Sequence, residues 1–284
     1  MLISKEFHDV PSKLDGGRPM RIYVISPVLP QYPQAKFPGV VVFSEIYQVT
    51  GPVERFAELS MYLPPSGLRL HDRFAGAIAS QGFVVACPST YHEFEGPEAI
   101  PYDVEGTDRG NKYKVEKTVS AYDEDATLAI DLLDSLKNCN GRIAGMSAHE
   151  AAFDQRVLAS VCFFATDVHS ATLGKGGDDS LVRVKNGDLT GKGELVMIFG
   201  KQDTHVPRAG RDLIRTTLED ADVPTSFLEV QAQHAFIRDE QSKGRWDAAL
   251  TKNLFGFMME VFERTVGRDL GPRVILNMEP EHVC

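Results

Sequence analysis

Phe199-Gly-Lys-Gln-Asp203-Thr-His-Val-Pro207 is the stretch whose reading decides the fold. It leaves the apolar run at 195–199, turns through glycine and polar residues, and reaches a proline suited to the first turn of a helix. An acid so placed, past a strand and ahead of a helix, lies where doubly wound sheets collect ligands and catalytic groups, at strand carboxyl ends. Farther along, His234 in Gln233-His-Ala-Phe follows the next apolar run, 226–230. Singly, Asp203 also reads as a helix cap or turn residue, and His234 as a half-buried packing histidine. At matched strand ends they are expected side by side, as the acid and base of a catalytic triad.

The rest of the chain supports such a sheet. Short apolar runs at 21–25, 40–43, 83–86 and 157–164 stop at turn signals and read as strands. Several are apolar on both alternations, as parallel strands covered on both faces are. Between them, 119–137 sets Ala126, Ile130, Leu133 and Leu136 near one face behind Thr118, a candidate N-cap. Helices are also predicted over 207–220 and over 244–266, the latter with Leu250, Leu254, Phe257, Met258, Val261 and Phe262 in one stripe. The alternation predicts an α/β-hydrolase fold, an open, mostly parallel sheet with helices on both faces. A single domain is expected over 1–268, with a tail at 269–284 that lacks periodicity. Residues 88–117 read as a long ordered loop of functional type, and 166–193 as a solvated loop.

Composition narrows the partners. The chain of 284 residues has a formal net charge of −10 and no Lys/Arg cluster, which excludes nucleic acid but not a small anionic substrate. Its first residues, MLISKEFHDV, are charged, and its longest apolar run, 157–165, is too short to span a bilayer. A cytoplasmic protein without membrane contact is expected, as a monomer or weak homodimer. Cys87, Cys139 and Cys162 lack CxxC spacing and read as buried thiols. Leu173-Gly-Lys-Gly-Gly and Thr190-Gly-Lys-Gly lack phosphate-loop spacing, and Asp167 with His169 offers only two metal ligands. Neither cofactor nor metal is expected.

Several ordered motifs together resemble the dienelactone hydrolase family (carboxymethylenebutenolidase-like α/β-hydrolases), its eukaryotic branch in particular. They are Ser44-Glu-Ile-Tyr-Gln-Val-Thr50, Pro88-Ser-Thr-Tyr-His-Glu-Phe94, Ala121-Tyr-Asp-Glu-Asp125, Phe164-Ala-Thr-Asp-Val-His-Ser170, the Asp203 segment and Gln233-His-Ala-Phe-Ile-Arg238. The resemblance spans about 15–268. It implies hydrolysis of small esters or lactones, some carrying a carboxylate, by a nucleophile–His–Asp triad. It also implies that Asp203 and His234 belong to that triad, that Glu45 contacts the resting nucleophile, and that Arg238 grips a substrate carboxylate. Read by itself, Arg238 either forks that carboxylate or pairs with Asp239 or Glu240 at the surface. Arg109 is a second candidate anion contact, while Tyr91 and His92 are read as aromatic wall. Backbone N–H groups near Ile46 and Ala148 are expected to form the oxyanion hole.

Two segments depart from the family pattern. The only candidate nucleophile elbow is Gly141-Arg-Ile-Ala-Gly-Met-Ser147-Ala-His149, with serine where the family has cysteine and His149 where a second small residue belongs. The region 142–153 also reads as too short for strand, turn and helix together. Residues 57–74 read as an insertion between the repeated dipeptides Arg55-Phe56 and Arg73-Phe74. The rival reading is therefore a non-catalytic or impaired small-molecule binder on the same fold. One cause would cover both departures, an intron read into the chain at one place and exon sequence lost at the other. Sequencing the mRNA tests this, and a transcript encoding both segments as written excludes it.

Overall fold

The structure, a computed structural model, describes residues 2–14, 18–57, 78–147, 150–175, 180–189 and 193–267. The proposed insertion beyond residue 57 and the tail at 269–284 lie outside them. Eight strands form one sheet: β1 (Leu2–Pro11), β2 (Pro19–Val28), β3 (Phe37–Val42), β4 (Val84–Pro88), β5 (Cys139–Met146), β6 (Val157–Phe163), β7 (Glu194–Gly200) and β8 (Thr225–Val230). Their spatial order is β1-β2-β4-β3-β5-β6-β7-β8. Pairing is antiparallel from β1 to β2 and from β2 to β4, and parallel from β4 through β8. This is the α/β-hydrolase fold.

Strand alternation sorts the core into layers. Val40 and Val42 of β3 face a cluster containing Met258, Val261 and Phe262 of helix α6 (Ala248–Phe262). Val41 between them faces Ala126, Ile130 and Leu133 of helix α3 (Val119–Ser135). Thr118 caps α3 by accepting from Ala121 N–H at 3.2 Å. Helix α5 (Arg208–Asp220) buries Ile214 and Leu218 against Met197 and Phe199 of β7. Each such side chain removed from water contributes about 1.5–3 kcal/mol. Arg142 of β5 donates to Thr265 O (2.6 Å) and Val266 O (3.0 Å), holding the π turn that ends the last helix to the sheet. Among the described residues no helix is long and apolar enough to cross a membrane.

Three expectations need correction. First, β1 gave no apolar alternation, because this edge strand is exposed along most of its length and is held by its ladder with β2. Second, 88–117 is not all loop. It contains helix α2 (Val104–Glu116), capped by Asp103, whose carboxylate accepts from Gly106 N–H at 2.7 Å. Its buried positions are Gly106 and Gly110, so the helix packs through backbone and shows no apolar stripe. Third, the solvated loop expected at 166–193 contains the short helix α4 (Ser180–Lys185). Between β3 and β4, α1 (Gly51–Ala57) is the remaining helix of this series among the described residues.

The connection from β5 to β6 shows what became of the shortened segment. Strand β5 is complete and pairs with β6 in parallel, Gly145 opposite Ser160 and Met146 opposite Val161. Among the described residues the crossover carries a single 3-10 turn, Glu150–Phe153, where a βαβ unit usually has a helix. The loss falls on the helix rather than on the strand.

A Cβ added at Gly110 would lie 2.2 Å from the carbonyl oxygen of Ile46, so α2 touches the loop after β3 backbone to backbone. Gly110→Ala is expected to cost about 1–3 kcal/mol by overpacking. Thermal melting measures this; an unchanged midpoint would contradict the close approach.

Candidate active site

The carboxyl ends of β3, β5, β6, β7 and β8 open on a cavity of about 510 Å³, within the range of small-molecule sites. Lining it are Ser147, His234, Glu45, Ile46, Tyr91, Tyr102 and Arg238. Asp203 is buried behind His234, and its Oδ2 lies 2.7 Å from His234 Nδ1. Oδ1 accepts the backbone N–H of His205 at 2.8 Å, so both carboxylate oxygens are oriented. Burial pushes the Asp203 carboxyl up, but the hydrogen bond and charge of His234, with the His205 N–H, outweigh it and hold the group below its usual range. The acid therefore stays ionised at neutral pH and fixes which face of the imidazole looks into the cavity.

Ser147 ends β5, with its N–H donating to Val161 O at 2.8 Å. Its φ is +58°, the left-handed region that costs an L-residue about 1–2 kcal/mol. A serine held there at a strand's end, half-buried and on the cavity wall, has the backbone turn of an elbow with the first of its usual glycines, Gly145, but not the second. Phe164, at the end of the neighbouring strand, is also left-handed (φ +51°). Its ring lies 5.3 Å from that of His234 and 4.9 Å from Phe236, a wall that packs the imidazole from one side.

Glu45 is placed differently from the expectation. Its Oε1 accepts from Tyr102 OH (2.8 Å) and its Oε2 from Arg238 Nη1 (3.1 Å), so both carboxylate oxygens already have partners other than Ser147. Arg238 is neither free nor paired with its sequence neighbours. It is buried, bonded to Glu45 and Gln241 O, and stacked 4.6 Å from the Tyr102 ring, while its Nε has no partner. Long-range packing brings Glu45 to it, which local sequence could not reveal. Tyr102 ionises well above its normal range, first through burial and then through Glu45, so it stays a neutral donor.

Other candidates separate. Arg109 is not on the cavity wall; it pairs with Glu95 (3.1 Å) and Glu105 (3.7 Å), because α2 turns it toward its own acidic neighbours. His92 is not wall either. It is buried at 3.1 Å from Asp125, in a cluster where Lys117, fully buried, pairs with Glu93 and Asp125. His92, Glu93 and Asp125 could by spacing hold a cation, but the Lys117 ammonium already supplies that charge. Asp167 pairs with Lys114 at 2.9 Å rather than joining His169 in a metal site. Cys139 and Cys162 are buried in their strands. Ala148 and His149 lie outside the described residues. Sequence reasoning missed Tyr102, Asn111, Lys114 and His205 as wall residues. For His205 the signal was present, two residues beyond Asp203.

Comparison with known proteins agrees with this architecture. The profile described as "Dienelactone hydrolase family" matches residues 21–266. A Saccharomyces cerevisiae protein named "Putative carboxymethylenebutenolidase" is 50% identical, with 100% of both chains covered. Among solved structures, one described as "Putative Dienelactone Hydrolase from Klebsiella pneumoniae" superimposes with a TM-score of 0.70 at 17% identity, over 93% of this chain and 100% of that one. A "Dienelactone Hydrolase-like" phosphotriesterase from metagenomic libraries gives 0.65 at 15% identity, over 93% and 98%. At these identities the structural likenesses speak for the fold alone.

Because the folded-state pKa of Asp203 is depressed, its contribution to stability is present above the ordinary value of 3.8 and is lost as pH falls through the lower folded value. Asp203→Asn is therefore expected to melt several degrees below wild type at pH 7, with the gap narrowing below pH 3.8. Melting curves at both pH values check this; a gap that stays constant would show that the charge plays no part.

Proposed function

The chain belongs to the dienelactone hydrolase family, and from that premise we propose that it hydrolyses small esters or lactones in this cavity through Ser147, His234 and Asp203. The observation that carries the reading is the 2.7 Å contact between His234 Nδ1 and Asp203 on a wall shared with Ser147. With Nδ1–H bonded to the acid, Nε2 is the nitrogen left to take a proton. Ser147 Oγ attacks the carbonyl carbon and gives its proton to His234. The tetrahedral oxyanion then collapses, and His234 returns the proton to the departing alkoxide. In a lactone that alkoxide stays tethered and the ring opens. Water, deprotonated by His234, then releases the acid from Ser147.

Other wall groups take supporting roles in this proposal. The backbone N–H of Ile46 is one oxyanion donor. Tyr102 and Arg238 hold Glu45, and a substrate carboxylate reaching Arg238 has to displace that side chain. Tyr91 and Phe164 exclude water from the reacting centre. The cavity volume and the net charge of −10 favour a small-molecule substrate over a nucleic acid, and the proposal is of a cofactor-free enzyme, a cytoplasmic monomer or weak homodimer.

A second reading has its own observation. The described part of the crossover after Ser147 is a 3-10 turn and no α-helix, so on this reading oxyanion stabilisation from a helix N-terminus is reduced. On this reading the protein keeps the pocket and binds without turnover.

Ser147→Ala, Asp203→Asn and His234→Ala are each expected to lower kcat/KM on 4-nitrophenyl acetate by about 10³-fold or more. A fluorophosphonate probe should label Ser147 stoichiometrically, as read by peptide mapping. Wild-type rates in all three variants would refute the triad, and a folded protein that takes no label would favour the binder.

A further inference from the structure

The cavity wall carries four Lys and Arg side chains, Lys114, Arg238, Lys243 and Arg245, but only two carboxylates, Glu45 and Asp167. Those carboxylates are matched one to one, Glu45 with Arg238 at 3.1 Å and Asp167 with Lys114 at 2.9 Å. Arg245 and Lys243 are left with no carboxylate in ion-pair reach among the described residues. Arg245 is half-buried and donates through Nε to Ser242 O at 2.9 Å, while its two Nη groups have no hydrogen-bond partner among the described residues. Lys243 stands in the left-handed region (φ +53°) on the same turn, held by Arg245 N–H to Ser242 O at 3.1 Å. In a chain of net charge −10, an unmatched pair of cations on a concave wall is a local reversal of sign, and such a wall concentrates anions.

His205 locates the pair relative to the reacting centre. Its ring centroid is 4.6 Å from that of His234. It titrates below its ordinary value, through partial burial first and then through the charges of His234, Lys114 and Arg245, against the opposing pull of Asp203. Arg245 and Lys114 line the same cavity wall as His205, whose ring packs at a tilt against that of His234.

We infer that Arg245 and Lys243 form an anion-binding subsite beside His205, separate from Arg238, that takes a carboxylate or phosphate on the substrate at a distance from the ester bond. The inference rests on the ester-hydrolase reading of the same cavity. Arg245 gives two parallel N–H donors to such a group, and Lys243 adds a point charge. A bound anion would offset the field of Arg245 at His205 and raise its pKa.

Two measurements test it. In the first, 4-nitrophenyl hydrogen glutarate is compared with 4-nitrophenyl pentanoate, which differs from it in lacking the distal carboxylate. Wild type should prefer the anionic ester, and Arg245→Gln and Lys243→Gln should each lower that preference about tenfold, mostly through KM, with Arg245→Lys retaining part of it. In the second, the His205 pKa is followed by NMR with glutarate or inorganic phosphate added separately. A rise that disappears in Arg245→Gln supports the subsite, and the anion that produces it assigns carboxylate or phosphate. An unchanged ester preference in both Gln variants overturns the inference, as does a His205 pKa indifferent to both anions. If wild type cleaves neither ester, the hydrolase reading fails, and the NMR titration decides the subsite alone. Should Arg245→Gln not fold, Lys243→Gln and Arg245→Lys carry both measurements.

Discussion

The hydrogen bond between His234 and Asp203 is the contact on which the site depends, and strand register makes it. Strands β7 and β8 run parallel and pair from Leu195 opposite Thr225 to Gly200 opposite Val230, so their following loops leave the sheet side by side. Lys201 N–H donates to Val230 O and Gln202 N–H to Ala232 O, which ties one loop to the other before either reaches its functional residue. A side chain at Gly200 would put its Cβ 2.3 Å from Ala232 O, so this approach needs glycine. A slip of one residue in this ladder would turn every side chain of the strand over and part the acid from the imidazole.

Charge matching governs the rest of the wall. Glu45, Tyr102 and Arg238 come from three separate segments and satisfy one another in a largely buried setting. Removing any one of them would leave a buried polar partner stranded, the costly half of the hydrogen-bond asymmetry. Below the pocket, Lys117 sits fully buried between Glu93 and Asp125 and fastens the segment that carries α2 to helix α3. Gln48, also fully buried, donates to Gly96 O and Glu98 O and pins the same segment to the loop after β3. The wall that bears Tyr102, Asn111 and Lys114 is therefore held by these polar ties together with a small, largely aromatic cluster of Tyr47, Tyr91, Phe94, Ile100 and Tyr113.

Much of the fold was legible because burial writes itself into composition. Strands β3, β4, β6 and β7 are apolar on both faces and were read within a few residues, as were α3 and α5. Strand β1 and helix α2 left no such mark. The first is held mainly by backbone pairing at an edge and the second by glycines against a carbonyl, and neither has a periodic run of buried apolar side chains. The proximity of Asp203 to His234 followed from strand-end logic. The engagement of Glu45 with Arg238 did not, since 193 residues separate them in the chain.

What the sequence determined by itself was the alternation of the buried strands and helices and the rim on which acid and histidine meet, because both follow from local periodicity and the handedness of crossovers. Tertiary structure alone decided that Ser147 takes a left-handed backbone, that the crossover after it keeps one turn instead of a helix, and which cations of the cavity are neutralised. Those outcomes depend on distances between segments remote in the chain. Electrostatic matching and close backbone approach are properties of such distances, and no run of neighbouring residues encodes them.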